Sequence, residues 1–298
     1  MKLGLFSISY AGLWGQAELG LEDFIRRAAG LGFDTVMLAG KRPHLSPLDI
    51  DEARLEKLRR LLDESGIGCD VVAAYTDLSP PPAAEVPYLE WQIGYVAQLA
   101  RTGAALGAKY IRVFTAYGSP SLAPHQQWAL VVRTLREMAE RVAELGMTLA
   151  VQNHHDVALP TDAMLDLIAE IDHPHCRLGF DAWSVALRGE PLEESARKAA
   201  PWTVITTNAD YLRYPRYTYD PALVNYRRLE PDWVRAVPFG TGTIDYQAFF
   251  RGLRAGGFDG VASYEMCSPI RGGGSLENLD RYAQVYLEWM RKFVLQVS

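Results

Sequence analysis

The stretch LRAGGFDGVASYE (253–265) runs from the end of an amphipathic helix, through a glycine turn, into an apolar strand that stops on a carboxylate. Glycine relieves the left-handed backbone that ends a helix, and a run apolar on both faces suits a parallel strand covered by helices. The same joint recurs as RRAAGLGFDTVML (26–38), LDESGIGCDVVAA (62–74), TGAALGAKYIRVF (102–114) and ERVAELGMTLAVQ (140–152). Five such joints imply a chain built of repeated βα units.

Working outward, eight apolar runs read as strands: Leu3 to Ile8, Thr35 to Leu38, Cys69 to Ala74, Tyr110 to Phe114, Thr148 to Gln152, Arg177 to Asp181, Val204 to Thr207 and Gly260 to Glu265. Helical periodicity fills most intervals: Glu18 to Ala29, Ile50 to Asp63, Tyr88 to Leu106, Ala129 to Leu145, Thr161 to Ile171, Ile244 to Ala255 and Leu276 to Leu295. Eight alternating pairs in 298 residues predict an α/β protein of one domain, a (β/α)8 TIM barrel spanning 1–298. A doubly wound open sheet is the alternative, but FSISYAGLWG (6–15) after the first run is not the GxGxxG turn that such a sheet uses for phosphate. Two segments break the repeat. SPPPAAEVP (79–87) reads as a stiff bridge over the barrel mouth, and Tyr211 to Pro238 as a long loop, a lid or a dimer contact with substrate cover preferred.

Composition narrows the class. A formal net charge of -6, with scattered Lys and Arg, argues against a nucleic-acid or anionic-membrane surface. Cys69, Cys176 and Cys267 are too few and too dispersed for a disulfide framework or zinc cluster, which fits a reducing compartment. MKLGLFSISYAGLWG (1–15) turns polar and glycine-rich too early for a signal peptide, and the expectation is a cytoplasmic protein.

Four runs end on side chains able to hold a cation or a sugar hydroxyl: LAVQNHHD (149–156), RLGFD (177–181), VITTNAD (204–210) and VASYE (261–265). Polar groups at several strand ends are how a barrel builds an active site. With GTGTIDYQAFFRGLRAGGFDGVASYEMCSP (240–269), these residues make the chain resemble the xylose-isomerase-like TIM barrels, a superfamily of sugar and sugar-phosphate isomerases, epimerases and dehydratases. The resemblance implies one divalent cation held from strands five to eight, on places that here carry Gln152, Asp181, Thr207 and Glu265, with Asn208 a further oxygen donor. An all-oxygen set with two carboxylates suits magnesium or manganese better than zinc. A family histidine is replaced by Ser184, while Arg213 and Asp210 match family positions. Those three, with Trp14 and Arg112, are the expected substrate-binding residues.

An amide cannot take a proton at neutral pH, so Gln152 removes one member of a two-base pair. Glu265 remains to abstract a proton next to a carbonyl, with His154 or His155 to return it, by one-base isomerisation or dehydration. Alternation sends His154 to the side of Gln152 and His155 to the other, and Asp156 is placed to orient either ring. Lys41, His44 and Arg112 read either as phosphate or carboxylate ligands or, more commonly, as members of salt bridges inside the barrel. The expected function is a sugar isomerase or epimerase acting on a small-molecule carbohydrate. The alternatives are a sugar or inosose dehydratase, a lyase, and a catalytically reduced carbohydrate-binding barrel. Nucleic acid and membrane are not expected partners; a homodimer is, through the aromatics of 211–238.

Overall fold

Gly32 and Gly66 close the first two helices, α1 (Leu21–Leu31) and α2 (Glu52–Ser65), at φ of 88° and 64°, the left-handed cap predicted from the sequence joint. Each leads into a barrel strand. The computed structural model describes residues 1–80 and 85–296. Its strands are β1 (Lys2–Phe6), β2 (Thr35–Ala39), β3 (Gly68–Ala73), β4 (Tyr110–Val113), β5 (Thr148–Gln152), β6 (Cys176–Gly179), β7 (Thr203–Asn208), β8 (Asp210–Asp220), β9 (Asn225–Val237) and β10 (Val261–Tyr264). β1 to β7 and β10 form a closed parallel barrel in the order β1-β10-β7-β6-β5-β4-β3-β2. The helices between them include α3 (Tyr88–Ala105), α4 (Pro124–Ala143), α5 (Thr161–Ile171), α6 (Ala182–Leu187), α7 (Leu192–Ala199), α8 (Tyr246–Ala255) and α9 (Leu276–Gln296). The expected bridge at 79–87 falls partly on residues 81–84, outside the described residues.

Strand alternation divides the core in two. Val36, Leu38, Val72, Ile111, Val113, Leu149, Val151 and Leu178 pack outward against helices, while Met37, Ala39, Val71, Ala73, Ala150, Ile205 and Val261 fill the barrel interior. Register sets Arg112 directly between Ala73 and Ala150 on the neighbouring strands. Small neighbours leave room for a guanidinium inside the barrel.

The segment expected as a loop at 211–238 is instead an antiparallel ribbon, β8 paired with β9 from Asp210↔Val237 to Asp220↔Asn225. Alternation was hidden because both faces carry aromatic and charged residues. Tyr217, Tyr219, Tyr226 and Trp233 are exposed along it.

Asp210, expected to bind substrate, fastens the base of this ribbon. Its Oδ1 accepts from Tyr211 N at 3.0 Å, and its Oδ2 accepts from Gly240 N at 3.0 Å and Gly242 N at 2.7 Å. A Cβ on Gly242 would overlap the carboxylate, so glycine is required there. Removing the side chain strands three backbone N–H groups in a site 1% exposed. Asp210→Ala is expected to cost about 3 kcal/mol of stability, read as a lowered urea midpoint; an unchanged midpoint would show that water replaces these bonds.

Candidate active site

β5, β6 and β7 end side by side, and their last inward side chains meet. Asp181 follows β6 and lies between Gln152 on β5 and Thr207 on β7. Its Oδ1 accepts from Thr207 N at 2.7 Å, and its Oδ2 accepts from Thr207 Oγ1 at 2.5 Å and from Gln152 Nε2. Gln152 Nε2 also donates to Thr207 Oγ1 at 2.8 Å, and Gln152 Oε1 is buried without a partner. Asn153 holds the Asp181 backbone from both sides, donating to its carbonyl at 3.1 Å and accepting from its N–H at 2.8 Å. Burial raises the Asp181 pKa to about 6 against the pull of the Thr207 and Gln152 hydrogen bonds and the Arg112 charge.

Glu265 follows β10 and is anchored by its N–H to the Asn208 carbonyl at 3.0 Å. Burial, then the Asp181 charge, pushes its pKa up to about 7; Arg112 and a hydrogen bond from the Cys267 thiol pull it down. Cys267 also meets the Tyr211 hydroxyl at 3.3 Å. Glu265, Gln152 and Cys267 line a cavity of about 490 Å³ at the C-terminal end of the barrel, with Arg112, Lys41 and Tyr75 on another part of its wall. Arg112 reaches the Ala74 carbonyl at 3.0 Å through Nη1, and its Cζ lies 4.0 Å from the centre of the Phe114 ring.

Both histidines line this cavity, because the chain turns after Gln152 and the strand alternation expected to separate them has ended. Their Nδ1 atoms are 3.0 Å apart, and the His155 ring stacks between Phe114 and Tyr117 at 4.3 and 4.1 Å. Burial, then His155 and Arg112, lowers the His154 pKa to about 4; the His155 pKa is lowered too, first by burial. Neutral rings at pH 7 share one hydrogen between the facing nitrogens. Asp156 does not orient them: its Oδ2 accepts from Gly118 N at 3.1 Å.

Of the other expected site residues, Trp14 stands at the cavity wall with a φ of 53°. Asn208 faces outward, donating to the Ser263 carbonyl at 3.1 Å and to the Tyr286 hydroxyl at 3.4 Å, so it is not beside Asp181. Thr207 took the inward place and alternation forces its neighbour out. Ser184 is buried in α6 outside the cavity lining, and Arg213 lies on the ribbon facing Asp232 at 3.7 Å. No ribbon residue lines the cavity. Phe6 and Asp77, not singled out in the sequence, do line it. Asp77 ends the run after β3 and could have been found by the strand-end rule.

Among the described residues no helix is long and apolar enough to cross a membrane. No curated protein sequence matches the chain. Similar solved structures include the probable 3-DHS dehydratase AsbF, involved in petrobactin synthesis, from Bacillus anthracis: 18% identity, TM-score 0.72, with 98% of this chain and 99% of that chain covered. Another is a D-psicose 3-epimerase with D-tagatose from Clostridium cellulolyticum H10, at 16% identity and TM-score 0.75 with 98% and 99% covered. A third is the IolI protein with a bound zinc atom, at 17% identity and TM-score 0.74 with the same coverage. Residues 25–293 match the family model described as xylose isomerase-like TIM barrel. With that match over most of a closed eight-stranded barrel, the chain belongs to the xylose isomerase-like TIM barrel family, which includes sugar epimerases and dehydratases.

Proposed function

We propose that this chain is an enzyme that moves a proton next to the carbonyl of a polyhydroxylated substrate, with Glu265 as the base. The observation that carries the reading is a buried carboxylate whose pKa is pushed up to about 7, on the wall of a cavity that also holds the Arg112 guanidinium. A base poised near neutrality removes a proton α to a carbonyl with the least mismatch. Glu265, now protonated, returns the proton to the former carbonyl carbon in an isomerisation, while the hydroxyl hydrogen on the α carbon passes to the enolate oxygen, or it gives the proton to a departing β-hydroxyl, which leaves as water, in a dehydration. Gln152 takes no proton; its free Oε1 accepts a hydrogen bond from a substrate hydroxyl. This favours one-base chemistry over symmetrical two-base epimerisation.

The donor set fits the family's divalent cation poorly. Gln152 and Thr207 turn hydrogens toward Asp181 where ligands would turn lone pairs, and Asp181 spends both oxygens on them. Among the described residues no three His, Cys, Asp or Glu side chains come together to hold a metal ion. The same knot supports a second reading, a catalytically reduced barrel that only binds carbohydrate.

Incubating the chain in D2O with ketohexoses, inososes and sugar acids, followed by proton NMR, separates these readings. Deuterium enters carbon or a dehydrated product appears under the first, and Glu265→Gln slows either by about 10³-fold; neither outcome on any compound leaves the binding reading. Because the active form of Glu265 is the carboxylate and its pKa is raised to about 7, kcat/KM should climb with pH and level off above that value. A profile already flat at pH 5 would remove Glu265 as the base.

Calorimetric titration with Mn2+ tests the donor set. Native chain should bind weakly, and Gln152→Glu, which adds a third carboxylate, should tighten binding by about tenfold or more. Equal, tight binding by both would mean that Asp181 and Glu265 suffice.

A further inference from the structure

Two cations share one wall of the cavity without a carboxylate partner. Arg112 is 1% exposed, yet among the described residues neither it nor Lys41 forms an ion pair, contrary to the salt bridge expected inside the barrel. The guanidinium donates from Nη1 to the Ala74 carbonyl, while Arg112 Nε and the Tyr75 hydroxyl are buried without a well-formed hydrogen bond, the guanidinium lying near enough to the hydroxyl to pull the Tyr75 pKa down against burial. Lys41 Nζ stands 3.9 Å and Arg112 Cζ 4.8 Å from the centroid of the same Tyr75 ring. The Lys41 pKa is lowered by burial and then by the Arg112 charge, so each cation lies in the field of the other. Like charges gathered in a half-closed pocket cost free energy that an anion between them would offset.

The acids of the site are held elsewhere. Lys41 follows β2, Tyr75 follows β3 and Arg112 lies in β4, three consecutive strands; Asp181, Thr207 and Glu265 belong to β6, β7 and β10, three consecutive strands on the other side of the barrel. Both Asp181 oxygens are bonded to Thr207 and Gln152. Asp77, whose charge acts on His155, accepts at Oδ1 from Ser79 N at 3.0 Å and Tyr117 N at 3.2 Å. The cavity therefore has Glu265 on one side, with the Asp181 charge behind its wall, and the two cations on the other.

We propose that Lys41, Arg112 and the Tyr75 hydroxyl form an oxyanion subsite, so that the substrate is an acidic polyol carrying a carboxylate or phosphate rather than a neutral sugar. The proposal takes Glu265 as the base at the reacting end, as argued above, and adds what holds the other end. Nε belongs to the guanidinium edge that grips two oxygens side-on, as Arg42 grips Asp49 through Nε at 2.7 Å and Nη2 at 2.6 Å elsewhere in this chain. Phe6 and Phe114 pack around the Arg112 head and keep water from it, which strengthens its attraction for an anion.

Isothermal titration with D-gluconate, D-glucose 6-phosphate and neutral D-fructose reads this subsite without turnover. One of the two anions should bind about tenfold or more tighter than fructose, and Lys41→Met, at a partly exposed position, should remove about tenfold of that affinity. Preference for gluconate assigns a carboxylate, and preference for glucose 6-phosphate a phosphate. Arg112→Lys, which keeps the charge and loses the fork, should also weaken the anion. Fructose binding as tightly as either anion, Lys41→Met matching the native chain, or no binding of either anion up to about 10 mM overturns the proposal. Anion-selective binding with neither deuterium exchange nor a dehydrated product on any compound would sink the proton-transfer reading and leave the subsite standing; turnover confined to neutral ketoses would do the reverse.

Discussion

Asp181 ties three strands of the barrel to one point. Its carboxylate receives the backbone and hydroxyl of Thr207 and the amide of Gln152, and its backbone is held on both sides by Asn153. Hydrogen bonds to a charged acceptor are each worth about 1.5–3 kcal/mol, enough to keep a carboxylate inside a barrel that would otherwise exclude it. Because β5, β6 and β7 are adjacent in the sheet, fixing their ends fixes the floor on which Glu265 stands, one strand further on at β10. The position of the Glu265 carboxylate follows from that knot together with the Cys267 thiol that bonds to it from the loop after β10.

Arg112 sets the electrostatics of the same floor. Its direct strand neighbours are Ala73 and Ala150, and rings of Phe6, Tyr75 and Phe114 surround its guanidinium. Larger residues at either alanine would occupy the space its head needs. A desolvated cation over aromatic faces recovers about 2 kcal/mol, which only partly offsets the cost of burying it. Its field explains why Glu265 comes to rest near 7. Burial and the Asp181 charge drive that carboxyl upward, while Arg112 and the Cys267 thiol oppose them. A carboxyl held near neutrality is thus the balance of a cation across the cavity and a nearer acid.

The architecture was legible in the sequence because it rests on a local joint. The glycine that ends each helix and the two-faced apolar run after it are properties of about thirteen consecutive residues, such as LRAGGFDGVASYE (253–265), and tertiary context does not override them. The convergence of Gln152, Asp181, Thr207 and Glu265 on one end of the barrel was legible for a related reason: strands deliver direction. What could not be read was partnership. That Gln152 and Thr207 would both donate to Asp181, that His154 and His155 would face one another, and that Arg112 would stay unpaired depends on distances between strands far apart in the chain. The ribbon at β8 and β9 escaped because Tyr, Arg and Pro on both faces leave no period-two hydrophobic signal. Asn208 is a milder case, since alternation with Thr207 already sent it to the helical side.

Gln152 is best understood through what an amide offers that a carboxylate cannot. Three carboxylates at strand ends repel one another and need a cation to balance them. An amide supplies hydrogens in place of the cation, and its recipients, Asp181 and Thr207, lie at the ends of the next two strands of the barrel, β6 and β7. Spending its hydrogens there leaves Oε1 buried with nothing to accept from, at a cost of about 1–3 kcal/mol unless a ligand hydroxyl supplies a hydrogen. On the cationic side, Arg112 Nε and the Tyr75 hydroxyl are in the complementary position, able to donate with no acceptor. Unsatisfied groups of opposite kind on the two sides of one cavity are answered by a single molecule, one that gives a hydroxyl hydrogen to Gln152 and presents an oxyanion to Arg112. The substitution that departs from the family's pattern thereby becomes a statement about the ligand.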